Sequence, residues 1–120
     1  MVNNTKPKQY DLEERTLQFA KDIREFAKKY PKDVIVLDDI RQLIRASGSV
    51  GANYIEANDS LSKKDFVMRI KISKKEAREC TYWLKLLQNQ LKATEDCRVK
   101  LEKEYVELTY IFAAILRNRS

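Results

Sequence analysis

Four runs of apolar residues spaced three and four apart fill most of this chain, and that spacing constrains its fold more than any other feature. Leu12, Thr16, Phe19, Ile23, Phe26, Ala27 and Tyr30 make the first run, which Pro31 stops. Ile40, Leu43, Ile44, Ser47, Val50, Gly51, Tyr54 and Ile55 make the second. The third holds Phe66, Ile70, Ala77, Cys80, Leu84, Leu87 and Leu91, and the fourth Cys97, Leu101, Tyr105, Leu108, Phe112 and Ile115. An α-helix turns once in about 3.6 residues, so each run is one apolar helical face. With two glycines and two prolines in 120 residues, the chain lacks the turn residues that a β-rich fold needs. A chain this long supports one core, not two. The expectation is an all-α protein: an antiparallel up-down four-helix bundle over residues 11–120, after a polar arm at residues 1–10.

Cap signals set the expected boundaries. Asp11 with Glu14 three residues on resembles a capping box, which would start the first helix. The "VIVL" stretch (34–37) is short enough to be a strand, but it has no partner. It therefore reads as an extended entry to a second helix running from about Leu37 to Asn58. "NDSLS" follows as a turn, Ser62 with Asp65 caps the third helix, and Thr94 caps the fourth.

Both glycines, Gly48 and Gly51, lie inside the second helix, in "ASGSVGAN" (46–53). Each costs about 0.5–1 kcal/mol relative to alanine there. A phosphate-cradling loop would need a preceding strand and a Gly-Lys-Ser/Thr ending, and a GxxG nucleic-acid clamp a mixed helix and sheet fold. Close helix packing along Ala46, Gly48, Gly51 and Ala52 explains the pattern better. Asn53 and Glu56 follow on nearby faces, and Arg45 and Glu79 are candidates for pairing between the second and third helices. Ordinary solvated charges remain an equal alternative for any one of them.

The chain has no histidine, which removes the commonest general base and metal ligand. Cys80 and Cys97 lack metal-ligand spacing and read as reduced thiols in a cytoplasmic protein. No segment approaches the roughly 20 apolar residues of a membrane span. No activated nucleophile can be assembled. The expectation is a non-enzymatic protein with no cofactor, no metal, no small-molecule substrate and no membrane partner.

The charge, by contrast, is informative. The formal net charge is +6, and residues 63–85 carry eight basic against three acidic side chains. Lys64, Met68, Lys71, Lys75, Arg78, Tyr82 and Lys85 share one helical face. A basic stripe with a tyrosine in it suits RNA or DNA, through the phosphate backbone and one stacked base. The competing class is a protein-interaction or assembly module whose charge keeps it soluble. Tyr10, Tyr54, Trp83 and Tyr110 would then make subunit or partner contacts.

"QLIRASGSVGANYIEA" (42–57) and "SKKDFVMRIKISKKEARECTYWLKLL" (62–87) resemble the bacterial four-helix-bundle family named for proteins encoded in 23S rRNA intervening sequences. The resemblance rests on Arg45, Ser49, Asn53 and Glu56, then on Ser62, Asp65, Phe66, Glu79, Trp83 and Leu84. Ala57 departs from it, since many relatives carry glycine there. The resemblance implies a left-handed bundle assembling as a ring-like homopentamer. It also implies a relation to the accessory proteins of diversity-generating retroelements, which bind nucleic acid and a reverse transcriptase. It implies no enzyme. Five copies of the basic stripe would give multivalent binding.

Overall fold

The computed structural model describes residues 8–119, with side chains placed for residues 11–118. Residues 1–7 of the expected polar arm and the side chain of Tyr10 lie outside the described residues. Four α-helices make up the fold: α1 (Lys8–Ala27), α2 (Val34–Asn58), α3 (Lys63–Leu86) and α4 (Glu95–Arg119). A short 3₁₀ turn at Lys92–Thr94 leads into α4, and the described residues contain no strand.

Two helix starts differ from expectation for one reason: a cap and a first-turn acid look alike in sequence. α1 begins at Lys8, so Asp11 lies inside its first turn, where a negative charge complements the helix dipole, and does not cap it. α2 begins at Val34 because Asp33 supplies the cap. Its Oδ1 accepts from the backbone N–H groups of Ile35 (3.0 Å) and Val36 (3.3 Å). The "VIVL" stretch is thus the first helical turn, not an extended entry. Ser62 caps α3 as expected, its hydroxyl accepting from the Asp65 N–H at 3.1 Å.

α3 ends at Leu86, earlier than its apolar run implies. Asn89 adopts a left-handed backbone (φ 64°), which asparagine tolerates better than most residues, and the chain turns before Leu91. Thr94 stands directly before the first residue of α4. Its buried hydroxyl donates to the Leu91 carbonyl (2.7 Å), which leaves Tyr30 to donate to it at 2.9 Å. That bond ties the end of α1 to the start of α4.

The core is one cluster to which every helix contributes, among them Phe19, Ile23 and Phe26 of α1, Leu43 and Val50 of α2, Ile70 and Leu84 of α3, and Tyr105 and Phe112 of α4. Phe19 meets Tyr105 at 5.7 Å between ring centroids, and Tyr54 meets Phe112 at 5.9 Å. Tyr54 is therefore a core residue, not a spare surface aromatic, while Tyr110 is exposed. Contacts between neighbouring helices step in opposite directions along them. Arg45 faces Glu76, Val50 faces Ser73, and Asn53 faces Arg69 across α2 and α3. Arg15 reaches Glu104 across α1 and α4 (3.1 Å), near the end opposite Tyr30 and Thr94.

Of the four small residues expected in a packing strip, two are buried. Gly51 is the close approach: a Cβ there would lie 2.9 Å from the Oγ1 and 3.2 Å from the Cβ of Thr16 on α1. Thr16 cannot easily yield, because it is buried, its hydroxyl donates to the Leu12 carbonyl at 2.9 Å, and its branched side chain is stiff. Ala46 is buried. Gly48 is half-buried, with only the flexible end of Arg24 within 3.7 Å of an added Cβ, and Ala52 is exposed. The strip is narrower than its sequence pattern because a helix turns 100° per residue, which carries positions 48 and 52 off the line of 51.

Candidate nucleic-acid interface

α3 has two chemically different faces. The inner one forms a polar seam with α2. Arg45 forks onto two carboxylates, Nη2 lying 3.3 Å from Glu76 Oε1 and 3.0 Å from Glu79 Oε1, with Nη1 3.4 Å from Glu76 Oε2. Hydrogen bonding to Glu76, opposed by some desolvation, raises the Arg45 guanidinium above its ordinary value. About one turn along, the buried Ser73 hydroxyl donates to the Val50 carbonyl at 2.9 Å. Arg69 donates to Asn53 Oδ1 at 2.9 Å, and Asn53 Nδ2 in turn donates to the Ser49 carbonyl and hydroxyl at 2.9 and 3.0 Å. Glu76, Arg69, Ser49, Ser73 and Val50 thus join a seam that the sequence pattern indicated only at Arg45, Asn53 and Glu79. Glu56 does not belong to it: its side chain is exposed beyond the seam.

The outer face is basic. Lys64, Met68, Lys71, Lys75, Arg78, Tyr82 and Lys85 are all exposed. Among the described residues, ion pairs involve none of Lys64, Lys71, Lys74, Lys75 and Arg78. Lys85 is the exception in the stripe, 3.6 Å from Glu102 of α4. Lys64 stands about 10 Å along the helix from Lys71. The centre of the stripe borders an open groove between α3 and the end of α4, lined by Lys71, Lys74, Lys75, Arg78, Glu79, Tyr82, Trp83 and Leu116. Sequence spacing missed Lys74 and Trp83, which sit one position beside stripe residues, and Leu116, which only the docking of α4 brings in.

α4 carries a cluster that its sequence did not reveal. Arg98 is 4% exposed, and it donates to Glu95 (3.1 Å), Glu102 (3.0 Å) and the Leu84 carbonyl at the end of α3 (3.4 Å). Burial opposes and these two glutamates support its charge, leaving its pKa above the ordinary value. Beneath the seam, Cys80 is a free, buried thiol pushed up by desolvation, and burial raises the Tyr105 hydroxyl for the same reason. Neither is a reactive group at neutral pH. Cys97 is free and half-buried. Among the described residues, no group of three or more aspartate, glutamate or cysteine side chains is placed to hold a metal ion, and no helix is long and apolar enough to cross a membrane.

Unpaired cations beside a groove whose one carboxylate, Glu79, is paired with Arg45 can attract an extended anion. The class of protein is therefore an all-α, four-helix protein with a basic outer face. The model of the 23S rRNA-intervening sequence protein family matches residues 8–114, and the chain belongs to that family. It is similar to the crystal structure of a protein of unknown function from the S23 ribosomal protein family of Bacteroides thetaiotaomicron. The two superpose with a TM-score of 0.81 at 27% identity, covering 92% of this chain and 99% of that one. No curated protein matches the sequence.

Proposed function

We propose that this chain is a non-enzymatic cytoplasmic bundle that binds RNA or DNA through the phosphate backbone, using the outer face of α3. One observation carries this reading: the helix segregates its charges. Glu76 and Glu79 are drawn into the α2 seam by Arg45, while Lys71, Lys75 and Arg78 are left exposed and unpaired. Base edges are not read by such a face, so binding depends on charge and shape. The opposite stepping of the cross-helix contacts supports an up-down antiparallel topology. A ring-like homopentamer, the assembly implied by the family resemblance, would repeat the face and raise its avidity.

A second reading, a protein-interaction module, has its own support. Val34 and Ile35 at the start of α2 are 84% and 75% exposed, Leu61 beyond its end is fully exposed, and Tyr110 of α4 is 71% exposed. These groups suit contacts with other copies of the chain or with a protein such as a reverse transcriptase. Light scattering and a salt titration of nucleic-acid binding separate the two readings. The proposal expects a mass several times that of one chain, and binding that weakens steeply with salt. A large assembly that binds no nucleic acid even at low salt would leave the interaction module in its place.

A further inference from the structure

The groove between α3 and the end of α4 combines two chemistries that a backbone-binding face does not need to combine. Its exposed members are the cations Lys71, Lys75 and Arg78 with Tyr82, and its half-buried members include Trp83 and Leu116. The Trp83 indole N–H is buried and has no acceptor among the described residues, so the indole offers the groove only carbon. Tyr82 meets Trp83 edge to face, with centroids 5.1 Å apart and planes at 77°, and 57% of Tyr82 remains open. The one acid in the groove, Glu79, is held by Arg45 at 3.0 Å. The result is an aromatic and aliphatic patch ringed by cations.

Duplex nucleic acid would engage the cations but leave the patch uncovered, because its bases are stacked inside. A single strand offers both a phosphate chain and unstacked base faces, and aromatic side chains take such bases without regard to sequence. We infer that the groove is a single-strand subsite: one unpaired base packs against Tyr82, Trp83 and Leu116, while its flanking phosphates lie on Lys71, Lys75 and Arg78. The subsite presupposes the backbone binding proposed above and names its ligand class.

Trp83 is the only tryptophan of the chain, so intrinsic fluorescence reports on the groove. The full-length protein is titrated at low salt with oligothymidylate, with an abasic strand of equal length and with a duplex of equal length. Oligothymidylate should change the Trp83 emission and bind about tenfold or more tightly than the abasic strand. Tyr82→Ala, at an exposed position that does not threaten folding, should close most of that gap. Equal binding of all three ligands with unchanged emission overturns the subsite and leaves backbone binding standing. If none of them binds at low salt, both fall. Polyglutamate that binds as tightly as oligothymidylate and changes the emission equally would also overturn the inference, since the groove would then take any acidic chain.

Discussion

The two faces of α3 are built from similar residues and do opposite things. On the inner face every charge has a partner: Glu76 and Glu79 share Arg45, and Arg69 holds Asn53. On the outer face Lys71, Lys75 and Arg78 have none. Charges taken partly out of water are costly unless paired, whereas exposed lysines keep their hydration and cost little. The inner face therefore fixes how α2 and α3 sit on each other, and the outer face is free to vary in charge without disturbing the fold. Changing one face at a time should separate binding from stability.

The largest separation is expected on the outer face. Lys71→Glu with Lys75→Glu replaces two attractions for phosphate by two repulsions. Filter binding at low salt should show affinity falling about a hundredfold or more for all sequences alike. Each lost contact should also reduce the log–log salt slope by about 0.9 on duplex DNA. The melting temperature should stay close to that of the unmodified protein, since neither lysine touches the core. Equal binding by the variant would show that the stripe is only a solvated face.

The inner face should respond in the opposite way. Arg45→Ala leaves Glu76, only 9% exposed at its side chain, without a partner. Arg45 itself is half exposed, so solvent screens part of the loss. A destabilisation of about 1–2 kcal/mol follows from the orphaned acceptor, read by urea denaturation, with nucleic-acid affinity nearly unchanged. A variant that binds weakly and melts normally would mean that the seam serves the ligand.

A smaller, pH-dependent effect comes from the thiol beneath the seam. Burial holds the Cys80 pKa above its ordinary value of 9.0, so the folded protein keeps a proton that the unfolded chain releases above that pH. Its contribution is complete below pH 9 and is lost as pH rises, at about 1.4 kcal/mol per unit. The Tyr105 hydroxyl, raised by burial as well, adds to the loss above its ordinary value of 10.0. Thermal melts between neutral pH and about pH 11 should show stability falling, more gently in Cys80→Ala than in the unmodified protein. An unchanged slope in Cys80→Ala would place the alkaline loss on other groups.

Much of this was legible in the sequence, because helical spacing is a local property. The apolar runs located all four helices and most of the core, and the three-and-four spacing of Lys64, Met68, Lys71, Lys75 and Arg78 located the exposed face. What spacing could not supply was anything decided by a second helix. Tyr54 looked like a spare aromatic until Phe112 covered it. Glu76 looked like one more charge of a basic helix until Arg45 turned it inward, and spacing gave no sign that Leu84 and two glutamates would enclose Arg98. Helix starts were misread for the smaller reason that Asp11 and Asp33 carry the same side chain but only Asp33 occupies a capping position.

The smallest expected effect distinguishes the two glycines, which spacing treated as equivalent. Both cost the α2 helix backbone entropy, so alanine at either position gains about 0.5–1 kcal/mol before packing is considered. At position 48 the added methyl meets only the mobile end of Arg24 at 3.7 Å, an ordinary contact. Gly48→Ala should therefore raise the melting temperature by a few degrees. At position 51 the methyl falls 2.9 Å from Thr16 Oγ1. Thr16 has no free rotamer to retreat into while its hydroxyl is bonded to the Leu12 carbonyl. Overpacking of about 1–3 kcal/mol then exceeds the propensity gain, and Gly51→Ala should lower the melting temperature. Thr16→Ala removes the Oγ1 that the added methyl would meet at 2.9 Å, so it should rescue Gly51→Ala by more than it changes the unmodified protein. If Gly51→Ala is instead the more stable of the two alanine variants, α1 and α2 do not meet at this glycine, and the close approach is not what keeps it there.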